Sequence, residues 1–304
     1  MQFKNVEISD AQTLVRAFES YNGRICDYSA GNAIFWRDYY GISFYMGEDG
    51  AMLRFGNIDG RAYYSYPVSR EPFTIIDKLL DDVGGTVALT CLTREEYEAV
   101  AERYSVADVM HDADWDDYLY SAEDIVTLKG RRYSGQRNHI NKFRKCYPNS
   151  HFEEITAETA HIAKDFCKRY FGGFGKVTDV SDVEERQLYE QLDNWEAYRQ
   201  LGGILFVGDE AVGISVGEQV GDTLIIHTEK ANTAFEGAYP MLTNSFARYF
   251  AEGNSSCKFI NREEDCGDEG LRRAKLSYHP VEIIEKYAVV VREGRKPFEK
   301  ALPN

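Results

Sequence analysis

The chain has 304 residues, 43% hydrophobic and 28% charged, with 21 Tyr and 17 Phe. That length suits two domains of about 150 residues, each able to bury its own core. A formal charge of -15 argues against general nucleic-acid binding, which needs a surplus of Lys and Arg.

No apolar run approaches the roughly 20 residues that span a bilayer, and the start lacks a signal-peptide core, so the expectation is a cytoplasmic chain without membrane insertion. Cys26, Cys91, Cys146, Cys167, Cys257 and Cys266 form no C-x-x-C pair. Neither a metal site nor a disulfide framework is expected.

In chain order, Ser9-Asp10-Ala11-Gln12 has the spacing of a capping box and predicts an early helix. Aromatic and β-branched runs at 42–46, 51–55 and 62–66, broken by turns at 47–50 and 57–60, predict a three-strand meander. A helix over 72–80, a strand at 86–89, a helix over 94–103 behind a Thr93-Arg94-Glu95-Glu96 box and strands at 105–110 and 118–121 follow.

Residues 129–145 hold Lys129, Arg131, Arg132, Arg137, Lys142, Arg144 and Lys145 and no acid, a basic island in an acidic chain. The element order then recurs. A helix over 133–145, a strand at 151–155 and helices over 156–170 and 181–199 precede a second meander at 203–208, 212–220 and 223–230. A helix over 239–250, a strand at 257–260, a helix over 270–275 and a closing strand over 281–291 complete it. The reading is an α/β (α+β, mixed-sheet) chain of two similar halves, 1–127 and 128–304.

This order is that of the GNAT acyltransferase fold, and the second half is similar to the C-terminal domain of phosphatidylglycerol lysyltransferases. The resemblance rests on Leu128-Lys129-Gly130, Arg137-Asn138-His139-Ile140-Asn141-Lys142-Phe143, Val216-Gly217-Glu218, His227-Thr228-Glu229-Lys230-Ala231-Asn232, Asn261-Arg262-Glu263 and Ala274-Lys275-Leu276-Ser277-Tyr278-His279-Pro280. Tyr28-Ser29-Ala30-Gly31-Asn32 extends it into the first half. It implies two tandem GNAT-like domains, related to Fem-type transferases that move an aminoacyl group from a charged tRNA to an amine or hydroxyl. The lipid-modifying members carry a membrane domain that this sequence does not show, which leaves the acceptor, a small molecule or peptide, open.

The second meander offers the first candidate chemistry. If Gly221-Asp222 is a two-residue hairpin turn, Val220 pairs with Thr223, Glu218 with Ile225 and Val216 with His227. Glu218, His227 and Glu229 then share one face, and a histidine between carboxylates is a candidate acid/base; the alternative is a structural polar cluster. Asn261, Arg262 and Glu263 follow the next strand, at the edge where open α/β sheets place ligands, with a solvated loop as the alternative; the resemblance adds Lys230, Asn232 and Tyr239 as candidate substrate-binding residues.

The resemblance implies a place near the acyl group for Lys275, where a cation would stabilise an oxyanion. Arg131, Arg137 and Lys142 are candidates for gripping the phosphates of a tRNA acceptor end. The turn 232–240, with one glycine and Glu236 where a pyrophosphate would sit, weakens CoA as donor without excluding it. The first half, whose equivalent segment Pro67-Val68-Ser69-Arg70-Glu71-Pro72 lacks glycine, reads as scaffold.

Two motifs are set aside. Asp112-Ala113-Asp114-Trp115-Asp116 has calcium-loop spacing but Asp117 at the glycine position. Phe171-Gly172-Gly173-Phe174-Gly175-Lys176-Val177 lacks the first Gly and the final Ser or Thr of a phosphate loop. The function expected is acyl transfer, with aminoacyl-tRNA preferred over acyl-CoA as donor and a non-catalytic binding module as the alternative.

Overall fold

A computed structural model describes residues 1–58, 60–175 and 180–295. Asp59 of the predicted 57–60 turn and Lys176-Val177 of the discarded phosphate-loop motif lie outside the described residues.

The strands are β1 (Lys4–Asn5), β2 (Ile42–Gly47), β3 (Gly50–Ile58), β4 (Arg61–Ser65), β5 (Thr86–Leu92), β6 (Tyr104–His111), β7 (Asp117–Ser121), β8 (Ser150–Glu154), β9 (Leu201–Val207), β10 (Glu210–Val220), β11 (Thr223–Ala231), β12 (Phe259–Asn261), β13 (Glu282–Ile284) and β14 (Tyr287–Arg295). They form two mixed sheets of seven, ordered β1-β2-β3-β4-β5-β14-β6 and β13-β7-β12-β11-β10-β9-β8. Each has a meander followed by a parallel neighbour, β4 beside β5 and β11 beside β12, so the two halves are tandem GNAT-like units.

The sheets exchange a strand. β7, from the first half of the chain, pairs with β12 and β13 in the second sheet. The last strand, β14, inserts between β5 and β6 in the first. A boundary at 127/128 therefore divides the chain order but not the sheets. The closing strand expected over 281–291 is two strands in two sheets, broken at Glu285-Lys286, where the chain crosses over.

Local signals fare unevenly. Thr93 caps the helix Arg94–Arg103 in a reciprocal box with Glu96. The early box is Glu7 with Asp10, closing a single 3-10 turn, and the following helix Ala11–Phe18 has no side-chain cap. The helix Ser181–Asp193 begins at Ser181 itself, with Val180 at its N-cap.

In the second sheet, Leu224, Ile226 and Leu205 pack toward the helix Ala238–Ala251, where Leu242 and Phe246 are fully buried. Ile204, Ile214 and Val216 face the helices Ala160–Arg169 and Ser181–Asp193. That two-sided burial explains the near-continuous apolar run of β9 and β10.

Candidate functional site

β11 and β12 pair only over Thr223–Ile225 and Phe259–Asn261, then separate. Charged side chains fill the opening at their carboxyl ends.

The hairpin forms as the turn chemistry requires, Val220 opposite Thr223 and Glu218 opposite Ile225. The register then slips between Val216 and Gly217, so Val216 pairs with Thr228 and His227 is the extra residue of a bulge. A bulge reverses which face the following residues take. This corrects the one-face expectation: Glu229 points away from His227, toward the helix Ala238–Ala251. There its two oxygens accept from Thr243 Oγ1 at 2.7 Å and from the Arg262 guanidinium at 2.6 and 3.1 Å.

His227 is held at both nitrogens, Nδ1 at 2.7 Å from Glu263 Oε1 and Nε2 at 2.9 Å from Glu218 Oε1. Burial opposes its charge, but these two carboxylate hydrogen bonds outweigh it and raise its pKa to about 10. Burial likewise works against the Glu218 carboxylate, and His227 overcomes it, so its pKa falls below the ordinary value. At neutral pH the ring is an imidazolium without a free lone pair, a poor general base.

Both carboxylates are tied to the first half. Glu218 Oε1 accepts the Gly31 N–H at 2.5 Å, and Glu263 Oε1 accepts from Asn32 Nδ2 at 2.8 Å. Gly31 sits in the short helix Ala30–Phe35, capped by Ser29. A Cβ at Gly31 would meet Glu218 Oε1 at 2.5 Å, so a larger residue there would push the carboxylate aside.

Lys275 is 5% exposed. Its Nζ donates to the carbonyls of Arg262, Glu263 and Glu264, which uses all three of its protons. Burial, reinforced by Arg262, lowers its pKa. This corrects its reading as an oxyanion partner: the ammonium shapes the loop, where Glu263 itself has a φ of 58°.

Asn261 belongs to the same loop, its Nδ2 donating to Arg24 O at 2.7 Å and Asp117 Oδ2 at 2.8 Å, its Oδ1 accepting the Glu263 N–H at 2.6 Å. The Arg262 guanidinium lies 4.9 Å from the Tyr278 ring centroid, and its Nη1 is buried without a partner among the described residues.

The remaining candidates lie apart from His227. Lys230 pairs with Glu184 at 2.7 Å under the Tyr170 and Phe171 rings, and Tyr239, packed toward Tyr170, has its phenol pKa raised by burial. Asn232 Oδ1 accepts the Ala234 N–H at 3.0 Å.

In the basic segment, Arg131 is exposed, while Arg137 Nη1 donates to the carbonyls of Leu128 and Gly130 and Lys142 lies 2.6 Å from Glu236. Arg137 is thus spent on a turn. The helix Ser134–Cys146 packs across the turn 232–238: a Cβ at Gly237, whose φ is 86°, would meet His139 O at 2.6 Å.

Sequence reasoning missed a second buried cluster. Lys286 Nζ lies 3.0 Å from Asp117 Oδ1, 3.1 Å from Asp27 Oδ2, 3.6 Å from Glu264 Oε2 and 3.7 Å from Cys26 Sγ. Burial disfavours the ammonium, but Asp117 and Asp27 outweigh it and hold its pKa well above the ordinary value. Burial, offset in part by Lys286, brings Glu264 to about 7. Cys26, Asp117 and Glu264 are close enough to share a metal ion, yet the ammonium already supplies the positive charge among them. The one local signal was the Asp116-Asp117 pair opening a strand of apolar residues.

The fold is of the acyltransferase and aminoacyltransferase type. Residues 18–290 match the family model for the phosphatidylglycerol lysyltransferase C-terminal domain, and the chain belongs to that family. A conserved protein of unknown function from Bacteroides thetaiotaomicron has a similar structure, 32% identical, with a TM-score of 0.85 over 96% of this chain and 99% of that one. The L-PGS structure from Bacillus licheniformis superposes with a TM-score of 0.62 over 95% and 93%, at 14% identity. An uncharacterized protein of Mycoplasmoides gallisepticum is 26% identical over 208 residues, and the match spans 66% of this chain but 63% of that relative. Among the described residues no helix is long and apolar enough to cross a membrane.

Proposed function

We propose that the protein transfers an aminoacyl group from a charged tRNA to an amine or hydroxyl acceptor. The observation that carries this reading is the helix Ser134–Cys146 lying across the turn where a GNAT enzyme would hold the pyrophosphate of CoA. Phe143 Cβ and His139 O crowd Gly237, Lys142 pairs with Glu236, and the N–H groups of Ala234, Phe235 and Ala238 are spent within the turn. The helix instead presents exposed Arg144 and Lys145, with Arg131 just before it, to a phosphate backbone.

In the transfer, the acceptor nitrogen or oxygen bonds to the ester carbonyl carbon. The bond from that carbon to the tRNA ribose oxygen breaks, and the ribose hydroxyl leaves with the acceptor's proton. The ester is already activated, so positioning supplies much of the acceleration.

A second reading, a binding module without transfer, is favoured by His227 being charged and bonded at both nitrogens. Thermal-shift titration tests the donor: an uncharged tRNA acceptor minihelix should raise the melting temperature and acetyl-CoA should not. Stabilisation by acetyl-CoA alone would refute the proposal.

A further inference from the structure

The cations nearest the point where β11 and β12 part are already occupied: His227 by two carboxylates, Lys275 by three carbonyls and Arg262 by Glu229. Beyond them β11 runs on, no longer paired with β12, and Lys230 is its last charged side chain before the turn 232–238. Strand alternation points Lys230 the opposite way from Glu229. It leaves the side of the helix Ala238–Ala251 and faces the helices Ala160–Arg169 and Ser181–Asp193, as its cross-strand neighbour Ile214 does.

The Lys230 ammonium lies 2.7 Å from Glu184 Oε1, with the two side chains 17% and 19% exposed. It has no other ion-pair or hydrogen-bond partner among the described residues, so two of its three protons have no acceptor there. Other cations on this side are engaged, Lys164 with both oxygens of Asp193 and Arg169 with Ala211 O at 2.8 Å.

An uncommon backbone sets the rings around the ammonium. Tyr170–Phe174 is a π-helical turn, closed by the Gly175 N–H on Tyr170 O at 2.7 Å, a conformation that recurs at functional sites. It brings the Tyr170 and Phe171 ring centroids to 5.5 and 5.9 Å from Lys230 Nζ. Ring faces attract a cation without using its N–H groups, so the rings and Glu184 hold the ammonium while leaving it donors.

Its place along the chain is equally specific. The turn 232–238 begins two residues on, where the helix Ser134–Cys146 packs with Arg144 and Lys145 exposed. A donor whose phosphates meet that helix has its end close to Lys230, at the carboxyl end of the strands where open α/β sheets hold ligands.

We propose, resting on the aminoacyl-transfer reading, that Lys230 is a catalytic residue whose two free N–H groups meet the ester carbonyl oxygen of the charged tRNA, and that Glu184 positions the ammonium. The acceptor's lone pair bonds to the ester carbon, and the carbonyl π pair moves onto the oxygen, where Lys230 holds it. That pair then re-forms the C=O bond, the bond to the ribose oxygen breaks, and the ribose oxygen takes the acceptor's proton. A half-buried ammonium with its counter-ion fixed beside it needs little rearrangement as the negative charge forms.

The test is steady-state transfer of a radiolabelled amino acid from charged tRNA to a mixture of small amines and peptides by the full chain. Lys230→Met should lower kcat about 100-fold or more, the scale of a lost oxyanion donor, with KM for charged tRNA changed less than about twofold. Lys230→Arg should restore part of the rate. The double variant Lys230→Met with Glu184→Gln, which leaves no unpaired carboxylate beside the rings, should show the same loss at an unchanged melting temperature. Equal kcat in the wild type and Lys230→Met overturns the role of Lys230 while leaving the transfer reading intact. So does a raised KM at unchanged kcat, the mark of a cation that only binds the donor. A wild-type protein that transfers nothing refutes the transfer reading and the role of Lys230 with it.

Discussion

His227 and Glu263 meet at 2.7 Å across the gap where β11 and β12 part, and the same carboxylate oxygen accepts from Asn32 of the first half. The imidazolium therefore ties two loops and two halves together. Replacing His227 by Ala leaves the buried Glu218 and the half-buried Glu263 without their cation, which should cost about 3 kcal/mol of stability, read by urea denaturation at neutral pH.

The same ring sets a pH dependence. Its folded pKa, about 10, lies above the ordinary 6.5, so its contribution is complete below pH about 6.5 and disappears as the pH rises toward 10. The stability of the wild-type protein should fall between pH 7 and 10, and His227→Gln should flatten that slope. Equal slopes in the two proteins would remove the imidazolium from the account.

Lys275→Met keeps the stem but deprives the carbonyls of Arg262, Glu263 and Glu264 of their donor. A loss of about 3 kcal/mol is expected, since hydrogen bonds to a charged group are the stronger kind. The measurement is calorimetric melting; an unaltered melting temperature would return Lys275 to the pool of free cations.

Strand exchange predicts how fragments behave. Without β14, β5 and β6 have no strand between them, and without β7, β12 and β13 have none. Fragments 1–127 and 128–304 should each fail to give a cooperative melt alone and should recover one when mixed, as followed by circular dichroism. Independent folding of either would contradict the interlock.

Much of the architecture was legible because it is local. Turn residues and alternation located both meanders, and the hairpin register is correct as far as Glu218 and Ile225. The bulge at His227 was not legible, because the sequence carries no mark of where tertiary contacts with Glu218 and Glu263 pull one extra residue into the strand. Nor was the exchange: Asp117–Ser121 reads as a strand by its own residues, but its partners lie more than 130 positions away. Lys286 and Cys26 are brought together only by that crossing, so beyond the Asp116-Asp117 pair their cluster had no local signature.

In the basic segment the structure separates cations that a charge count treats alike. Arg144→Ala with Lys145→Ala should weaken tRNA binding and lower its salt slope by about 1–2, leaving the melting temperature unchanged. Arg137→Ala should instead destabilise the turn at Leu128 and Gly130, whose carbonyls it holds. Filter binding across a salt series, beside thermal melts, distinguishes the two.

The most direct test of the central claim is a donor competition in which tRNA charged with a radiolabelled amino acid, or radiolabelled acetyl-CoA, is incubated with the protein and a mixture of small amines and peptides. The account predicts label in an acid-soluble amide or ester product from the charged tRNA and none from acetyl-CoA. Label transferred from acetyl-CoA, with the aminoacyl ester left intact, would contradict it.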